Sequence, residues 1–271
     1  MHERIAVTGI CFLSNSLKEQ AGYWRHLDAK RVSLVGPVLD AEGVAAAQAA
    51  LATGNYQLET IMHPFLPGQA LSANSADWVQ PRQRLSAQIK VAATLGAKSI
   101  YMLTGGHGNM LWEQAAEVFI KAVAPCVGQA RDAGIALMIE NAPPQYADIH
   151  IAHTLRDTIS LAEMADIGVC IDLFSCWTEP DLKALIERAV PRCDLVQVSD
   201  YVLGDRALPA RAVIGDGAMP IPLMLNYLLA AGYQGAFDME LLGPRIDEEG
   251  ALAATARAGA VLGNMLQGLG A

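Results

Sequence analysis

The chain has 271 residues, with 28 Asp and Glu against 19 Lys and Arg and a formal net charge of −9. An acidic chain without a basic cluster is a poor match for phosphate backbones, so nucleic acid is not an expected partner. Apolar residues make up 52% and charged residues 17%, which excludes intrinsic disorder. No apolar run reaches the roughly 18 to 20 residues of a membrane span, so a membrane is not an expected partner either. The start, Met1-His2-Glu3-Arg4, lacks the zones of a signal peptide, and the expected location is cytoplasmic. The five cysteines are odd in number and scattered, without a C-x-x-C pair. They read as buried thiols rather than a disulfide framework or a zinc knuckle.

Short β-rich runs alternate with amphipathic stretches along the chain. The first is Ile5 to Ile10, with a helical stretch around Leu17 to Leu27. Val32 to Gly36 precedes an Ala-rich helix, Tyr56 to Met62 makes a third strand, and Arg82 to Leu95 the next helix. Ser99 to Leu103 makes a fourth strand. Trp112, Ala115, Ala116, Phe119 and Val123 then repeat at the spacing of a helix packed on one face. Pro125 is expected to break or kink that helix. Ile135 to Ile139, Ile167 to Ile171, Leu195 to Val198 and Gly235 to Met239 read as buried parallel strands. Helices are expected at about 155–165, 180–190, 221–231 and 248–266. Glu179-Pro180 and Ile221-Pro222 mark two of the helix starts. Eight strand–helix units and no linker predict a single (β/α)8 TIM-barrel domain over 1–271. A doubly wound sheet would want a Gly-rich phosphate loop after an early strand. Gly105-Gly106-His107-Gly108 lacks that spacing.

In such a barrel the functional groups lie at the C-terminal strand ends. The residues that follow the apolar runs are His63, His107, Glu140-Asn141, Asp172, Ser199-Asp200 after Gln197, and Glu240. Three carboxylates converging on one low-dielectric pocket repel one another, and a divalent cation would neutralise them. Oxygen ligation by carboxylates and an amide suits Mn²⁺ or Mg²⁺ better than Zn²⁺.

The stretches Leu137-Met138-Ile139-Glu140-Asn141, Val169-Cys170-Ile171-Asp172, Val196-Gln197-Val198-Ser199-Asp200, Ile214-Gly215-Asp216-Gly217 and Phe237-Asp238-Met239-Glu240 resemble the xylose isomerase-like TIM-barrel superfamily. That superfamily contains sugar and sugar-phosphate isomerases and epimerases, inosose and dehydroshikimate dehydratases, and endonuclease IV-type nucleases. The resemblance implies a metal held by Glu140, Asp172, Gln197 and Glu240. It also implies that Glu140 and Glu240 are the catalytic, proton-transferring pair. Many members have His where this chain has Gln197, although hydroxypyruvate isomerases are similar in using Gln there. Many also have His where this chain has Ser175. Arg211 is the nearest match to a loop Arg that reaches substrate oxygens in the resembling epimerases. His63, His107, Ser175, Asp200 and Arg211 are therefore the expected substrate contacts, with Asp200 also a candidate to orient Gln197.

The expected activity is isomerisation or epimerisation of a sugar-like hydroxy-ketone through an enediolate, with one Mn²⁺ or Mg²⁺ as cofactor. A dehydratase shares the same first step. A non-catalytic binding protein on a decayed barrel is the reading from another class, and metal binding discriminates it. A Schiff-base aldolase is disfavoured because every Lys falls on a predicted helix or at a strand start. Phe12, Met62, Met102, Phe174 and Trp177 are expected around the rim, so a partly apolar hydroxy-ketone competes with a sugar as substrate. Barrels of this kind often form homo-oligomers, and no seam in the sequence fixes that state.

Overall fold

A computed structural model describes all of residues 1–271. Eight parallel strands close into a barrel in chain order. They are β1 (Ile5–Thr8), β2 (Arg31–Val35), β3 (Gln57–Pro64), β4 (Ser99–Leu103), β5 (Ala136–Glu140), β6 (Gly168–Asp172), β7 (Cys193–Val198) and β8 (Ala236–Met239). Helices alternate with them on the outside, among them Leu17–His26, Val79–Leu95, Trp112–Asp132, Leu155–Ala165, Leu182–Ala189 and Ile221–Ala230. This is the predicted (β/α)8 architecture. No helix is long and apolar enough to cross a membrane. All five cysteines are free and buried.

Buried apolar residues divide into two clusters. The larger one fills the space between strands and helices. The smaller one is the barrel interior and includes Ala6, Val35, Tyr101, Met138, Cys170, Leu195 and Ala236. Strand side chains alternate faces with a period of two. The interior residues therefore fix which later residues point inward. Two positions beyond Met138, Cys170, Leu195 and Ala236 stand Glu140, Asp172, Gln197 and Asp238, and Glu240 is two further. The register agrees, with Asp172 opposite Gln197 and Gln197 opposite Asp238.

Three local expectations are corrected. The long helix Trp112–Asp132 runs through Pro125 without interruption. Proline cannot donate to the carbonyl four residues back, at Lys121. Arg82, on the neighbouring helix, donates to Lys121 O and to Ala122 O, both at 2.8 Å. The orphaned acceptor is thus satisfied from outside the helix. The last predicted helix is two, Pro244–Glu249 and Ala251–Gly268, separated by Gly250 at φ +90°. Pro180 does not open a helix. The next one begins at Leu182, after Asp181 in a left-handed conformation.

Candidate active site

The C-terminal strand ends form the mouth of the barrel, as in TIM barrels generally. Asn141 stitches two of them together. Its side chain donates to Asp172 O at 2.9 Å and accepts from Asp172 N at 2.8 Å. His150 does the same between β4 and β5. Its Nδ1 accepts from Thr104 N at 3.0 Å, so its Nε2 donates to Glu140 O at 2.7 Å. Burial lowers the His150 pKa to about 4, which keeps the ring neutral in that role.

Arg211 is the centre of the site. It comes from the loop after β7, yet its side chain is buried between β6 and β8. Nη1 donates to Asp172 Oδ1 at 3.0 Å and to Ser199 Oγ at 3.0 Å. Nη2 donates to Asp172 Oδ2 at 2.9 Å and lies 3.0 Å from Glu240 Oε1. The Phe174 ring covers the guanidinium, its centroid 4.7 Å from Cζ. Burial opposes the charge on Arg211, but the Asp172 and Glu240 carboxylates outweigh it and raise the pKa.

The loop that carries Arg211 is held by Asp200. This buried carboxylate accepts from four backbone amides: Tyr201 at 2.8 Å, Gly215 and Gly217 at 3.0 Å, and Met219 at 3.1 Å. A Cβ at Gly217 would lie 2.2 Å from Asp200 Oδ1, so only glycine allows the carboxylate so close to the chain.

The remaining groups are short of partners. Both amide atoms of Gln197 and Oε2 of Glu240 are buried without a hydrogen bond, as are the Tyr101 hydroxyl and both Asp238 oxygens. Burial raises the Glu140 pKa well above its ordinary value, and Glu240 and Asp172 add to the shift. Burial also raises Glu240, to about 7, against the opposing pull of Arg211. Buried polar groups are normally paired. A cluster of unpaired ones at a strand-end mouth marks a place built for a ligand.

The cavity there measures about 100 Å³ and is lined by Glu140, Arg211, Glu240, Tyr101 and Tyr146 among mostly apolar side chains. A family model for the xylose isomerase-like TIM barrel matches residues 23–260. The chain belongs to the xylose isomerase-like TIM barrel family. No match was found among curated protein sequences. Among solved structures, it is similar to a protein from Sinorhizobium meliloti 1021, at 20% identity and a TM-score of 0.83 over 98% of both chains. It is also similar to the IOLI protein with a binding zinc atom, at 12% identity and a TM-score of 0.80, covering 98% of this chain and 99% of that one. D-psicose 3-epimerase with D-tagatose, from Clostridium cellulolyticum H10, matches at 14% identity and a TM-score of 0.80, covering 96% and 98%. At these identities the likeness is one of fold.

Within this xylose isomerase-like barrel, Arg211 contacts Asp172 and Glu240, and Glu140 lines the same cavity as Arg211 and Glu240. Gln197 lies beside Asp172 in the sheet, and Ser175 bonds to Asp172. His63, His107 and Asp200 are not among the residues that line the cavity. His63 is buried but faces away from the cavity, because its neighbour Met62 is the inward residue of β3. Burial, with Arg84 beside it, lowers the His63 pKa to about 4. His107 does not line the cavity. Ser175 donates to Asp172 Oδ2 at 2.5 Å and so positions that carboxylate. Asp200 is engaged with its own loop and does not orient Gln197. Met102 and Phe12 pack in the outer core, while Met62 lines the cavity. Sequence reasoning passes over Tyr146, a half-buried phenol six residues beyond Glu140. It also passes over Tyr101, whose hydroxyl stands unpaired inside the barrel.

Proposed function

We propose that the chain is a divalent-metal-dependent isomerase or epimerase of a small hydroxy-ketone, working by proton transfer next to a carbonyl. The observation that carries the reading is the pair of buried glutamates, Glu140 and Glu240, both with raised pKa, in one cavity beside a fixed guanidinium. Burial raises the proton affinity of both carboxylates, Glu240 to about 7, which suits groups that must take up and return a proton.

The donor set fits a hard divalent ion in chemistry and in charge. Gln197 Oε1 and Glu240 Oε2 are buried oxygens without a partner. When all three are ionised, Glu140, Asp172 and Glu240 exceed the Arg211 charge by two, an excess that a divalent ion would neutralise. Glu140, Asp172 and Glu240 do not close into a ready-made cage of three carboxylates. Asp172 already carries four hydrogen bonds, from Phe174 N, Ser175 and both Arg211 terminal nitrogens. Glu140, Gln197 and Glu240 would therefore hold the ion. Asp172 would join them only by giving up one of those bonds. Bound there, a divalent ion supplies Lewis-acid polarisation of the substrate carbonyl.

The chain's own residues supply the rest. Glu140 takes the proton beside the carbonyl, and Glu240 returns one to the other face or the other carbon. Arg211, held by Asp172, Ser199 and Glu240, keeps a positive charge beside the substrate oxygens. The apolar walls exclude water from the carbanion. The test is solvent deuterium incorporation, followed by NMR with Mn²⁺ present. Exchange at the C–H beside the carbonyl of a hydroxy-ketone, lost in Glu140→Gln, is the expected result. Equal exchange in wild type and variant would remove Glu140 from the mechanism.

A further inference from the structure

We propose that the ligand of this cavity has one polar end and one apolar end: an alkyl- or aryl-substituted hydroxy-ketone, rather than a polyhydroxylated sugar. The inference rests on the proton-transfer reading of the same cavity and adds the substrate class to it.

Apolar side chains make up most of the cavity lining. Glu140, Arg211 and Glu240 enter it from the end of β5, the loop after β7 and the end of β8. Ile10, Met62, Leu103, Ile149 and Leu242 are among its apolar residues. Beyond the three charged groups, the lining offers hydrogen-bonding side chains only at the Tyr101 and Tyr146 hydroxyls. A ketohexose carries a hydroxyl on every carbon beyond its carbonyl. The carbonyl end meets the carboxylates and the guanidinium, and the far hydroxyls meet carbon.

The residues that could have served those hydroxyls are spent elsewhere. Ser175 is bonded to Asp172, and Asp200 is bonded to four amides of its own loop. His63 points into the helix layer, and His107 lies off the lining. Phe174 stacks on Arg211, which puts a ring where the rim could have carried a polar group. Each buried hydroxyl left without a partner weakens binding by about tenfold, whereas each methylene placed on such walls strengthens it. Both effects select the same kind of tail.

The experiment compares probes that share the hydroxy-ketone head and differ in the tail. Hydroxyacetone is the head alone, 1-hydroxy-2-hexanone and 2-hydroxyacetophenone carry apolar tails, and D-tagatose and D-fructose carry hydroxylated ones. With the full chain and Mn²⁺ in D₂O, kcat/KM for exchange beside the carbonyl is expected to be at least about tenfold higher for the apolar-tailed probes than for the ketohexoses. Leu103→Asn is expected to narrow that ratio. Exchange as fast or faster with a ketohexose overturns the inference and leaves the proton-transfer reading standing. If no probe exchanges, the proton-transfer reading fails, and thermal melting decides the inference separately. A rise in Tm with 2-hydroxyacetophenone but not with D-tagatose upholds the inference. The reverse, or no rise with either, overturns it.

Discussion

The two ends of the barrel treat buried polar groups differently. At the N-terminal end, the buried Glu59 carboxylate meets Arg31 at 2.6 Å and Lys98 at 3.0 Å. Arg4 donates to Tyr233 O at 2.9 Å and to Gly235 O at 2.9 and 3.1 Å, with its guanidinium over the Tyr233 and Phe237 rings. The charged groups named there all have partners within the chain. At the C-terminal end, Gln197, Glu240 Oε2 and the Tyr101 hydroxyl have none, and Asp238 below them has none either. Charge at the N-terminal end holds the structure together. At the C-terminal end Asp172 and Arg211 are paired in the same way, but part of the buried polar set beside them has no partner in the chain, which costs stability.

This contrast can be broken by substitution at either end. The largest expected effect is on activity. Glu140→Gln should lower exchange by roughly 10²–10⁴-fold, the range of general-base catalysis, while melting changes little. Arg211→Ala should cost about 3–5 kcal/mol in chemical denaturation, because Asp172 and Glu240 lose their counter-charge while still buried. Arg211→Lys should recover only part of that, since an ammonium cannot reproduce the paired bonds to Asp172. At the opposite end, Glu59→Gln should cost less, about 1–2 kcal/mol, because Lys98 is 46% exposed and can turn to water. Its exchange activity should match wild type. The smallest effect is expected at Pro125→Ala, within about 1 kcal/mol, well below the ~3 kcal/mol propensity difference. The reason is that Arg82 already satisfies the Lys121 carbonyl. A gain near the full propensity difference would show that the Arg82 contacts contribute nothing.

Much of this C-terminal end is legible in the sequence. The apolar runs of β5 to β8 are short and unbroken, so the residue closing each run is a strand-end residue. Chain order alone thus groups Glu140, Asp172, Gln197 and Glu240 at one end of the barrel. The same property hides the direction of a side chain. Parallel strands are buried on both faces, so Met62 and His63 give no alternation of polarity to say which faces inward. The sequence therefore assigns His63 to a cavity from which its side chain turns away. Long-range pairing is hidden as well. Nothing near Arg211 in sequence says that its partner is Asp172, 39 residues away and on another strand. The role of Asp200 depends on a loop folding back over it, with Gly215 and Gly217 as the only local sign. Tyr146 does leave a signal, an aromatic residue beside two prolines just past Glu140 in the loop after β5. Pro125 misleads because its rescue comes from another helix, through a residue 43 positions earlier in the chain.

The unpaired oxygens of the C-terminal end are tested most directly by thermal melting with added Mn²⁺. In saturating metal, at about a hundred times Kd, wild type and Glu59→Gln should both gain about 2.7 kcal/mol of stability, seen as a rise in Tm. A Glu140→Gln, Gln197→Leu double variant should gain almost none. An equal rise in all three proteins, or none in wild type, would contradict the account.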